Sequence, residues 1–220
     1  MSGSLSTSEP QTPESDLIAA LHRQPLLVVL RSIEPLALLP QIERLQALGI
    51  HQIELAWSPH PQWVQQCQAL QERFPQLAFG SASICSLAGL DATAAAGLRY
   101  AVSPVLDPSL VERAKALRLV LVPGVMTPSE VNQAREWGCR VVKLFPAISL
   151  GMHYWSRLAP PLGPLPFCIA AGGLAPADGI PWLEAGVDAV ALGGSLAQGA
   201  AWEALATLVE RLRGRVVQAD

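Results

Sequence analysis

Short apolar runs recur along the chain, each followed by a stretch with helical spacing. Eight stand out: Leu26–Leu30, Gln52–Ala56, Leu77–Ala82, Leu98–Val102, Leu119–Val122, Arg140–Phe145, Phe167–Ala171 and Ala189–Leu192. They are short, β-branched in places and bounded by Gly or Pro, which is the pattern of strands buried on both faces. Between them, Pro35–Leu48 places Leu38, Leu39, Ile42, Leu45 and Leu48 on one stripe. Pro61–Phe74, Leu87–Ala96, Pro108–Leu117 and Pro128–Trp137 follow, with a last helix near Ala200–Arg213 and an extra one, Glu14–Arg23, ahead of the first strand. Several begin with Pro, whose missing N–H costs nothing in the first turn. Ser58, Asp107 and Thr127 stand where N-caps are expected.

Strands that alternate with helices specify a parallel sheet. A count of eight favours a closed (β/α)8 TIM barrel over an open doubly wound sheet. No G-x-G-x-x-G follows the first strand, so a dinucleotide site lacks its anion-cradling turn.

The 220 residues suit one barrel domain, spanning 15–220, preceded by a disordered tail over 1–14. That tail is polar and rich in Ser, Thr and Pro, without the basic start and apolar block of a secretory signal. The formal net charge of −3 brings no basic stripe for a nucleic-acid partner. No apolar run is long enough to span a membrane. Cys67, Cys85, Cys139 and Cys168 form no C-x-x-C pair, which fits thiols in a reducing cytoplasm better than a zinc site or disulfides. The four histidines lack ligand spacing, so neither a metal nor a cofactor is expected.

Against this background one residue is out of place. The chain has two lysines. Lys115 sits in the helical segment ERAKALR, whereas Lys143 sits in the apolar run RVVKLFP. An outward-pointing Lys143 would snorkel its ammonium to water. An inward-pointing one would lose hydration, and its pKa would fall. Free lysine titrates at about 10.4, so near pH 7 only about one in a few thousand is neutral. Burial raises that fraction and makes the amine a nucleophile. The C-terminal rim of a barrel, where active sites sit, supplies such burial. Glu54, in HQIELAW, is a carboxylate in another apolar run and a candidate proton shuttle.

Two glycine pairs follow the last two strands: Gly172-Gly173, and Gly193-Gly194 with Ser195. Glycines let backbone N–H groups approach an anion, and these loops are the usual phosphate site of a barrel. Arg31, ending the first strand, is placed to neutralise an anionic substrate group.

With these residues in hand, the sequence resembles the 2-keto-3-deoxy-6-phosphogluconate aldolase / 4-hydroxy-2-oxoglutarate aldolase family, class I aldolases on a (β/α)8 barrel. The resemblance runs from about Asp16 to about Leu212. It rests on VVKLFPA, IEL, Ser103-Pro104, VPGVMTPSE, AGGL and LGGSL, in order and spacing. It implies that Lys143 forms an imine with the substrate keto group and that Glu54 is the general acid/base. It implies substrate contacts from Arg31, Ser83, Pro104, Phe145, Gly172, Gly173, Gly193, Gly194 and Ser195. It further implies a phosphorylated keto acid as substrate, no metal and a homotrimer.

Departures are also visible. The family commonly has an arginine where this chain has Ser58, a threonine where it has Ala171, and a glutamate where it has Ile148. The threonine of the family's G-x-G-T segment is Ser83 here, which keeps a hydroxyl. Two rival readings follow: a phosphate-binding barrel isomerase or decarboxylase that uses no imine, and a paralogue that has lost its substrate.

Overall fold

The computed structural model describes residues 12–194 and 199–217. Nine strand segments form one parallel sheet: β1 (Leu26–Leu30), β2 (Gln52–Ala56), β3 (Ala78–Ala82), β4 (Tyr100–Val102), β5 (Val120–Val122), β6 (Gly124–Val125), β7 (Val141–Leu144), β8 (Phe167–Ala171) and β9 (Ala189–Leu192). Their order is β5-β4-β3-β2-β1-β9-β8-β7-β6. β5 and β6 are separated only by Pro123, so they are two halves of one barrel strand, and this bridges the ends of the sheet. Proline has no N–H to donate to a ladder, which is why the strand breaks there. The result is the expected (β/α)8 barrel.

Side chains along each strand alternate between the lumen and the outer helices. Leu27, Val29, Tyr100, Val102, Val120, Val122, Val141, Ile169, Ala171, Ala189 and Ala191 form an inner cluster. The alternate positions, such as Val28, Ile53, Leu55, Val142 and Val190, join the outer core with the helices. Helix α1 (Pro13–Arg23) adds Leu17 and Leu21 to the inner cluster and so plugs the N-terminal end of the barrel. Thr12 caps it through the Ser15 N–H. The expected tail therefore falls mainly on residues outside those described, while Pro13 and Glu14 are already helical.

Asp107 and Thr127 cap their helices as expected, Pro108–Leu117 and Pro128–Glu136. Ser58 does not. The next helix, Trp63–Arg73, starts five residues further on, and the Ser58 hydroxyl donates to the Ile33 carbonyl at 2.7 Å. It ties two rim loops together instead. No helix among the described residues is long and apolar enough to cross a membrane.

Candidate active site

Lys143 points into the barrel. Its register partner on β8 is Ile169, and its own i−2 neighbour is Val141, both members of the inner cluster. Only 6% of the residue is exposed. The outward, snorkelling alternative is thereby excluded. The ammonium lies 4.6 Å from the centre of the Phe145 ring, a cation–π contact on the same face of the strand. Phe145 in turn packs on Gly172, and the Phe145-Pro146 bond is cis.

Glu54 also faces inward. It pairs in register with Val29 of β1 and Gly80 of β3 and is 1% exposed. Neither carboxylate oxygen has a protein hydrogen-bond partner. Burial pushes Glu54 up to about 7, against the lowering pull of Lys143 and then Arg31. Burial likewise lowers Lys143 below the ordinary lysine range; Glu54 opposes this and Arg31 adds to it. Two groups that attract each other are thus both drawn toward neutrality by burial in the lumen. This is the condition a nucleophilic amine and a proton-shuttling carboxyl require near neutral pH.

Arg31 ends β1 at the rim, where its guanidinium donates to the Ser83 hydroxyl at 2.7 Å. Its charge is felt at both Glu54 and Lys143. Ser83 follows β3 with φ of 62°, a left-handed conformation uncommon outside glycine. Pro104 follows β4, and its backbone packs so closely on Gly124 that a Cβ there would lie 2.3 Å from the Pro104 carbonyl oxygen. The buried Ser103 hydroxyl accepts from the Val105 N–H and shapes that turn.

Gly172 and Gly173 both have positive φ, 95° and 84°. A side chain at Gly172 would strike the Phe145 ring, and one at Gly173 would strike Ile148. Gly193 packs near Val29, while no atom of the described residues lies within 4 Å of a would-be Cβ at Gly194. Ser195 lies outside the described residues. No long helix follows Gly172-Gly173 directly: a 3₁₀ turn (Pro176–Asp178) leads into the short helix Gly179–Glu184. A cavity of about 380 Å3 opens at the opposite, N-terminal end, between α1 and the start of β2 to β5, and contains neither Lys143 nor Glu54.

The lumen also holds residues not singled out from the sequence. Tyr100 on β4 is 1% exposed, and its hydroxyl has no protein partner. Its alternation with Val102 was the available signal. Cys85, exposed on the β3 loop, lies near Lys143. Nothing in its sequence context set it apart from an incidental thiol. Among the described residues no group of three or more His, Cys, Asp or Glu is arranged to hold a metal.

Two inward ionisable groups on opposite strands, beside an arginine and paired glycines, are arranged for imine chemistry on an anionic keto compound. The sequence model of the KDPG and KHG aldolases matches residues 17–207. The chain belongs to this family. It is a carbon–carbon lyase of the aldolase type. It is 28% identical over 173 residues to the 2-dehydro-3-deoxy-6-phosphogalactonate aldolase of Escherichia coli strain K12, covering 78% of this chain and 84% of that one. It is 28% identical over 134 residues to the 2-dehydro-3-deoxy-phosphogluconate aldolase of Dickeya dadantii, covering 60% and 62%. Among solved structures, a native KDPGal structure superposes with a TM-score of 0.75 at 26% identity, covering 88% of this chain and 96% of that one.

Proposed function

We propose that this aldolase cleaves a phosphorylated 2-keto-3-deoxy sugar acid through an imine on Lys143. The observation that carries this reading is the inward, buried Lys143 with Glu54 in the same lumen. The neutral Nζ attacks the C2 keto carbon, and the carbinolamine loses water to give the iminium. Glu54 takes the proton of the C4 hydroxyl as the C3–C4 bond breaks. The aldehyde leaves, and the bonding pair is held as an enamine on Lys143. Protonation at C3 and hydrolysis then release pyruvate and restore the amine. Arg31 with Ser83 holds the carboxylate, and the Gly172-Gly173 and Gly193-Gly194 turns, with Ser195, receive the phosphate.

The galacto-configured substrate is the one this reading favours. The phosphogalactonate enzyme of E. coli aligns over 78% of the chain against 60% for the Dickeya phosphogluconate enzyme. The two substrates differ at C4, the carbon whose hydroxyl Glu54 deprotonates. A homotrimer in the cytoplasm completes the proposal. The exposed Ile33, Val105, Met126, Ile148 and Met152 at the strand-to-helix end support an assembly that covers some of them, and the four free cysteines fit a reducing compartment.

Borohydride added with pyruvate is expected to leave a pyruvyl adduct on Lys143, and Lys143→Arg to lose both adduct and turnover. Turnover of the galacto epimer should exceed that of the gluco epimer. An adduct confined to Lys115 would overturn the assignment of the imine to Lys143, and lyase activity that survives Lys143→Arg with no adduct on any lysine would favour an imine-free barrel enzyme.

A further inference from the structure

Among the described residues, three buried side-chain polar atoms have no hydrogen-bond partner: both carboxylate oxygens of Glu54 and the hydroxyl of Tyr100. Buried polar groups are almost always paired, because an unsatisfied one loses its hydration without recovering it in the fold. That the three unpaired atoms belong to two neighbouring residues is therefore informative.

The backbone explains how they come together. Tyr100 stands on β4 and Glu54 on β2, with β3 between them. The β3 residue in register with Glu54 is Gly80. A Cβ at Gly80 would lie 2.4 Å from Tyr100 Cε2 and 2.5 Å from Cζ. Gly80 is not in a left-handed conformation, so the absent side chain serves space, not backbone freedom. The ring crosses β3 over a bare Cα, toward the position of Glu54. The Glu54 charge is felt at the phenol, which burial holds well above its ordinary range. A phenol so held is protonated at all working pH values and is a hydrogen-bond donor.

We propose that Tyr100 is a positioning residue for Glu54, its hydroxyl donating to the carboxylate through one bridging water and aiming it into the lumen toward Lys143. This rests on the reading of Glu54 as the proton shuttle. The groups that face Glu54 are Arg31 from β1, Tyr100 from β4 and Lys143 from β7, with Cys85 beside Lys143. Of these Tyr100 offers a neutral hydroxyl donor that substrate binding does not require, and the Cys85 thiol is at best a weak donor. A donor favours the ionised carboxylate, so its removal makes Glu54 harder to ionise.

Tyr100→Phe keeps the ring over Gly80 and removes one oxygen. The expected result is a kcat about tenfold lower with KM little changed, and an acid limb of kcat/KM moved up by about one pH unit. In a Glu54→Gln background the same substitution should have no further effect. An infrared titration of the Glu54 carboxyl stretch gives the same shift without turnover. If Glu54→Gln abolishes the limb but Tyr100→Phe leaves limb and carboxyl band in place, the Tyr100 proposal alone falls. If Glu54→Gln leaves the limb in place, the Glu54 reading falls and takes the proposal with it.

Discussion

Arg31 Nη1 donates to Ser83 Oγ at 2.7 Å, a bond that passes over β2 and joins the rims of β1 and β3. The hydroxyl fixes the guanidinium above the lumen, where it can meet a substrate carboxylate. Arg31→Met is expected to raise KM for the keto acid about ten- to a hundredfold, the worth of one charge-assisted bond. Its kcat should change much less, and the adduct on Lys143 should still form at high pyruvate. Ser83→Ala should show the same effect in weaker form. A fall in kcat at unchanged KM would place Arg31 in the chemistry and not in binding.

Much of this site is legible in the sequence because it obeys simple constraints. A lysine and a glutamate in apolar runs stand out against the periodicity, and both prove to face the lumen. The barrel follows from strands that recur with helices between them, and the bounds of β2, β8 and β9 match the apolar runs. What is hidden depends on contacts between distant strands. Tyr100 reads as an ordinary strand aromatic until Gly80 is known to lie beneath its ring. Ser58 carries cap chemistry, yet its hydroxyl goes to Ile33, because tertiary contact outbids the local signal. The break at Pro123 divides an apolar run whose composition gives only its first half.

The glycine turns separate space from strain. Among the described residues Gly194 has no heavy atom within 4 Å of a would-be Cβ, and it has no positive φ, so Gly194→Ala should leave the melting temperature unchanged. If the turn receives phosphate, the added methyl should still raise KM for a phosphorylated substrate several-fold, while an unphosphorylated keto acid is unaffected. Gly172→Ala is the contrast. With φ of 95° and the Phe145 ring 2.8 Å from the new Cβ, it should destabilise the fold by about 1–3 kcal/mol and disturb the ring beneath Lys143. Equal effects of Gly194→Ala on both substrates would argue against a phosphate role for that turn.

Glu54 links catalysis to stability. It titrates near 7 in the folded protein against 4.5 for an ordinary glutamate. Between these values the folded state keeps a proton that the unfolded chain has released. Stability from this group is therefore fully present below about pH 4.5, falls as pH rises to 7, and stays low above that. The loss approaches about 3 kcal/mol in the limit. Glu54→Gln removes the dependence, because its amide does not ionise. Part of the gain is offset, since Lys143 loses the carboxylate that favours its ammonium. Groups unrelated to Glu54 titrate alike in both proteins and cancel in the difference. Urea unfolding at pH 5 and pH 8 should thus show a smaller stability drop in the variant than in the parent, with turnover reduced at least a hundredfold. The same drop in both proteins would mean that burial does not hold the Glu54 carboxylate protonated, and the proton shuttle would lose its physical basis.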